Sequence, residues 1–164
     1  MRHKMTKLIP TTTAIVLTFA LLLSFCGCEF HKATKIKNGL TWDLVEFIWI
    51  FYGVSIPTDQ AEFVEGANVP GAWGDQTNVV VVFKLPLNPD CTDEESIIDY
   101  VSKALKLTKN RCYKTTRENY YDRYGGRMDY MFDMNESASE VRFRVEKDYY
   151  LIRVVGYNAK QKFP

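Results

Sequence analysis

Histidine is almost missing from this chain. Its 164 residues include only His3 and His31, both ahead of the part that reads as a folded domain. A domain without histidine has no Ser-His-Asp or Cys-His mechanism and no histidine-rich metal site. Cysteine is scarce, with four residues. A zinc site on Cys91 and Cys112 would need carboxylates to complete it, an uncommon donor set, so no metal is expected. No G-x-G-x-x-G or P-loop pattern occurs, which leaves a nucleotide cofactor without support. There is little excess charge: 21 Lys+Arg stand against 20 Asp+Glu, a net +1. Such a chain has no overall electrostatic pull toward nucleic acid. Internal repeats and low-complexity tracts are missing too.

What is present describes one small globular unit. Apolar residues make up 46%, aromatic residues 14% and charged residues 25% of the chain, which argues for a folded core and against disorder. At ~100–200 residues per domain, the length allows one domain with short appendages.

The first residues read as an export signal. Arg2, Lys4 and Lys7 give a basic start, and Ala14 to Phe25 is an apolar run broken only by Thr18 and Ser24. Twelve residues at ~1.5 Å each span about 18 Å as a helix, short of the ~30 Å hydrocarbon core of a bilayer. That pattern predicts a cleaved secretory signal, with an uncleaved anchor beginning at Leu8 as the alternative.

The segment Leu22-Leu23-Ser24-Phe25-Cys26-Gly27-Cys28 resembles the lipobox of bacterial lipoproteins, in which a small residue precedes a cysteine that becomes lipid-modified. The resemblance covers the signal region only. Gly27 before Cys28 makes Cys28 the expected acylation site. Cys26, preceded by Leu23, Ser24 and the bulky Phe25, is the alternative. The resemblance implies a lipid anchor, a membrane partner and residence in the bacterial cell envelope on the extracytoplasmic side. The expected organisation is a signal peptide over 1–27, a lipidated cysteine and tether over 28–39, and a single domain over 40–164. Lys32, Lys35 and Lys37 make the tether basic, which suits either solvent or anionic headgroups.

Cys91 and Cys112 remain as an even pair for a disulfide or as two separate thiols. They flank a predicted helix of about 24 Å at ~1.5 Å per residue. A disulfide needs Cα atoms within ~7 Å, so separate buried thiols are favoured.

Leu40 to Tyr52 reads as a buried helix, with Thr41 as N-cap, Asp43 in the first turn and Gly53 as stop. Its aromatic and β-branched content would also suit a buried strand. A helix lying on a membrane surface would need a basic face, and its only charges are Asp43 and Glu46, so a core role is expected. Ala61 to Gly66 and Val79 to Leu85 read as strands, with Asn68 to Asn78 as a loop carrying Trp73. Thr92-Asp93-Glu94-Glu95 reads as a capping box opening a helix whose stripe is Ile97, Ile98, Val101, Ala104 and Leu105. Period-two alternation follows: Met128, Tyr130, Phe132 and Met134 on one face, then Val141, Phe143 and Val145, then Tyr150, Ile152 and Val154. The short connections require antiparallel pairing. The expected fold is α+β: an antiparallel sheet with a C-terminal four-strand meander, packed against one or two helices.

Charge is blocked along the chain. Thr41 to Asp99 holds eleven acids and one base, whereas Tyr100 to Arg127 holds eight bases and two acids. The blocks are expected to attract each other within the domain, or else to form complementary faces for a partner.

Candidate binding residues lie in the basic block, where Arg117, Tyr120, Tyr121, Arg123, Tyr124 and Arg127 interleave. Tyr and Arg supply contact area together with directed hydrogen bonds. The same residues would equally serve cross-strand packing. Trp73, set among Gly71, Ala72 and Gly74, is a further candidate. No pair of carboxylates stands out, so no catalytic residue is assigned. The expectation is a non-catalytic envelope binding domain with a protein partner. The alternatives are an immunity or inhibitor protein directed at a toxin or hydrolase, and a carboxylate-dependent hydrolase of glycan or cell-wall substrates.

Overall fold

Val79 to Phe83 places a β-branched or aromatic residue at each of five successive positions, a pattern suited to a strand covered on both faces. In the computed structural model, which describes residues 33–70, 77–108, 111–115, 124–134, 139–159 and 163, all five are buried. The described residues fall in one contact unit, Lys32–Pro164.

The elements in chain order are β1 (Thr34–Lys35), α1 (Trp42–Tyr52), β2 (Glu62–Pro70), β3 (Thr77–Pro86), α2 (Glu94–Leu105), β4 (Cys112–Lys114), β5 (Tyr130–Phe132), β6 (Ser139–Val145) and β7 (Tyr149–Ala159). The chain is mixed α and β with the sheet dominant. Seven strands form one sheet in the order β1-β2-β3-β7-β6-β5-β4, antiparallel at every pairing. The last strand in sequence, β7, returns to the middle beside β3, with Val81 opposite Val154 and Phe83 opposite Ile152.

One face of the sheet carries the main core. Val79, Val81, Phe83 and Leu85 of β3 join Tyr150, Ile152 and Val154 of β7 and Val141 and Phe143 of β6, all closed over by helix residues Leu44, Ile48, Val101 and Leu105. Phe163 packs into the same core, and its backbone is held by Asn68: Asn68 Nδ2 donates to Phe163 O at 2.9 Å, and Phe163 N donates to Asn68 Oδ1 at 3.3 Å. A buried amide is tolerated there because both its ends are satisfied. The opposite face buries a smaller cluster of Val80, Val82, Met128, Leu151 and Val155.

Several sequence expectations need correction. Helix α2 is capped by Asp93, not Thr92: Asp93 accepts from Ser96 N at 2.8 Å, and Ser96 Oγ accepts in return from Asp93 N at 3.2 Å. Serine thus takes the reciprocal place expected of an acid. Strand β2 runs on through Asn68 to Pro70, residues expected in a loop, because they continue the ladder with Val79, Asn78 and Thr77. Met128 lies on the opposite face from Tyr130 and Phe132, since regular alternation begins only at Tyr130, after the turn made by Gly125 and Gly126 with φ of 70° and 68°. Val145, expected with Val141 and Phe143 in the core, is 40% exposed.

Candidate functional site

Helix α1 explains itself at both ends. Thr41 Oγ1 accepts from Leu44 N at 3.4 Å, and Gly53 adopts the left-handed conformation that ends the helix while its N–H reaches Trp49 O. Between the caps lies Trp-Asp-Leu-Val-Glu-Phe-Ile-Trp-Ile-Phe-Tyr, apolar nearly all round. A helix on one face of a sheet can bury only one stripe. Leu44, Ile48 and Tyr52 take it, spaced at every fourth residue.

Val45 and Phe47 pack partly against the core beside that stripe, and the other four apolar side chains are left in solvent. Trp42 is 74% exposed, Ile50 62%, and Trp49 and Phe51 49% each. Asp43 and Glu46 are exposed beside them. The helix expected to be buried is therefore half-buried, because the sheet covers one side only. The missed signal was in the sequence: Trp42, Glu46 and Trp49 fall at i, i+4 and i+7, so the acid marks the outward face and both indoles share it. Four large side chains at roughly 100 Å² each would gain on the order of 10 kcal/mol gross if covered, before the costs of association.

Near this face the ends of α1 and α2 meet the end of β5 at a cleft of about 250 Å³ with Gly53, Lys106, Thr108, Arg111 and Asp133 among its walls. Lys106 ends α2 in the left-handed conformation at φ 55°. Its Nζ stands 5.6 Å over the ring of Trp49, joining the cleft to the exposed helix face. Among the cleft's described walls Asp133 is the sole carboxylate.

The Tyr/Arg candidates are only partly placed. Arg117, Tyr120, Tyr121 and Arg123, and also Trp73, Cys26 and Cys28, lie outside the described residues. Tyr124 is half-buried against the smaller core cluster. Arg127 is exposed, with Nε 3.5 Å from Asp129 Oδ1. The two flanks of residues 116–123 are joined: Thr115 N donates to Asp129 O at 2.7 Å, and Thr115 Oγ1 donates to Met128 O at 2.8 Å.

The later flank is clamped to the sheet. Gly125 N donates to Glu65 at 2.9 Å, Arg144 Nη1 donates to Gly125 O at 2.9 Å, and Arg153 Nη1 donates to Tyr124 O at 3.0 Å. Arg153 is 1% exposed and Glu140 provides the nearby anion, 3.7 Å from Arg153 Nη2. Glu140 also pairs with Arg142 and accepts from Tyr157 OH at 3.0 Å.

The charge blocks meet in part: Lys114 Nζ lies 3.3 Å from Glu94 Oε2. Cys91 and Cys112 are free, half-buried thiols; Cys91 Sγ donates to Ser96 O at 3.4 Å. Burial, with Glu94 nearby, pushes the Cys112 thiol up to about 12. No group of three or more His, Cys, Asp or Glu suited to a metal ion occurs among the described residues. No helix among them is long and apolar enough to cross a membrane.

Comparison with protein-family models, curated proteins and solved structures finds no match to this chain.

Proposed function

We propose that this chain is a bacterial cell-envelope lipoprotein, acylated at Cys28 or alternatively Cys26, whose domain binds a protein partner without catalysing a reaction. In finer detail, β4 to β7 form a C-terminal meander that both helices back, leaving the outer face of α1 as the binding surface. The observation that carries the binding role is the exposure of Trp42, Trp49, Ile50 and Phe51 on one helix. Large apolar side chains left exposed together on one element are characteristic of interaction sites. Trp in particular is enriched at hot spots. The anchor is supported by the apolar run and the cysteines that follow it.

Two measurements test this. Labelling cells with a radiolabelled or clickable palmitate marks the wild type and not Cys28→Ala; unchanged labelling of that variant moves the site to Cys26, and an unlabelled wild type removes the anchor. A photo-crosslinker at Ile50 gives a discrete protein adduct in intact cells, and one at exposed Lys147 does not. Equal adduct patterns from both positions would remove the binding role.

A further inference from the structure

We infer that the outer face of α1 recognises a protein segment that is both apolar and cationic, gripping a lysine or arginine between the carboxylate of Glu46 and the flanking indoles. The inference rests on the binding role proposed above and adds the chemistry of the partner. Trp42 and Glu46 are four residues apart and Glu46 and Trp49 three apart, so on a helix each indole neighbours the carboxylate at ~5–6 Å between β-carbons. All three are exposed. An indole face attracts a cation through its quadrupole, and tryptophan does so best among the aromatics. The domain's own Lys106, 5.6 Å over the ring of Trp49, already uses that property. No described cation pairs with Glu46, so among the described residues Glu46 and the open Trp42 remain for a cation brought from outside.

Other occupants fit the charges less well. Helix α1 has no basic residue, whereas a helix lying in a bilayer interface carries lysine or arginine on its polar side. Anionic lipid would also repel Asp43 and Glu46. A second copy docked through the same two-fold face would bring these acids against their own equivalents. A basic partner instead neutralises both acids, while Ile50, one turn on from Glu46, supplies apolar contact.

The test uses the full chain held in phosphatidylcholine nanodiscs and three synthetic Leu-rich helical peptides that differ only in bearing Lys/Arg, Gln or Glu beside the apolar stripe. Binding is read by calorimetry and by tryptophan emission. The cationic peptide is expected to bind about tenfold more tightly than the neutral one, the worth of roughly one charged contact, and the acidic peptide weakest. Glu46→Gln is expected to bring the cationic and neutral affinities together, while Trp42→Ala weakens both. Trp42 is 74% exposed, so its replacement leaves the fold intact, which circular dichroism checks.

A preference that survives Glu46→Gln overturns the inference. Equal binding of the neutral and cationic peptides, both weakened by Trp42→Ala, overturns it while leaving the binding role standing. Peptide binding that neither variant alters removes the binding role as well. Quenching of Trp42 and Trp49 by brominated lipid without peptide, assigned with Trp42→Phe and Trp49→Phe, would give the face to the bilayer and overturn the inference.

Discussion

The ring of Tyr52 lies across Gly156: a β-carbon there would stand 1.9 Å from Tyr52 Cζ and within 2.3 Å of Cε1 and Cε2. This contact seats the last turn of α1 on β7, and Ser139 Oγ adds a hydrogen bond to Tyr52 O at 3.3 Å. Gly156 is therefore needed for the close approach of helix and strand. Gly156→Ala is expected to destabilise the domain by about 3 kcal/mol, toward the upper end for overpacked cores. A lower urea midpoint checks this. Adding Tyr52→Ala is expected to cost less than the sum of the two single changes, because the clash is then gone.

The same tyrosine gives the domain an alkaline limit. Its hydroxyl is buried with no hydrogen-bond partner among the described residues, and burial pushes its pKa up to about 12 from the ordinary 10.0. In the unfolded chain the phenol ionises first, so its ionisation costs no stability below pH 10, and stability falls as pH rises from there through about 12. Tyr52→Phe removes an unsatisfied polar group, which costs ~1–3 kcal/mol when buried. The variant is expected to be about 1 kcal/mol more stable at pH 7 and less sensitive to alkali between pH 10 and 12. Thermal unfolding across that range reads both effects, and wild-type sensitivity in the variant would show that another group sets the limit.

Glu140 stands beside two arginines of the second face, Arg142 and the fully buried Arg153. Removing one partner of a buried ion pair leaves an uncompensated charge, at a cost of about 3–5 kcal/mol. Glu140→Gln is thus expected to destabilise more than Arg153→Met, which removes the charge and keeps much of the volume. Paired denaturation curves decide it, and the opposite order would show that Arg153 is balanced elsewhere.

How far these features could be read from sequence depends on how local their causes are. Thr41 and Gly53 announce the ends of α1 because capping acts within a few residues. Val79 to Phe83 announces a central strand because apolar residues at every position need cover on both faces. The side of α1 left bare was harder, since sequence shows how much of a helix is apolar and not how much of it a sheet will cover. Asp43 and Glu46 gave the direction of solvent, yet Trp42, Trp49 and Ile50 beside them were expected in the core. Arg153 was illegible for a different reason: it alternates with Ile152 and Val154 and would ordinarily point to water. It is buried on the face where Tyr124 and Met128 pack, and it donates there to Tyr124 O, a partner remote from β7 in sequence. The cap sits one residue on, at Asp93, because Ser96 supplies the reciprocal hydrogen bond to the Asp93 backbone.

Thiol chemistry separates Cys112 from an exposed cysteine. Cys112 sits on β4 opposite Phe132 and packs against the main core, where burial raises its pKa to about 12. The thiolate is the reactive form, so at pH 8 such a thiol is expected to alkylate at least ~100-fold more slowly than an ordinary exposed one. Iodoacetamide labelling followed by peptide mapping measures this, with full modification expected only after denaturation. The same raised pKa adds to alkaline sensitivity: the stabilisation is present below pH 9, the ordinary thiol value, and is lost as pH climbs through about 12. Rapid native alkylation of Cys112 would mean that β4 opens readily at the sheet edge. Protection of Cys112 with no mass change on reduction would fit a closed edge holding a free thiol.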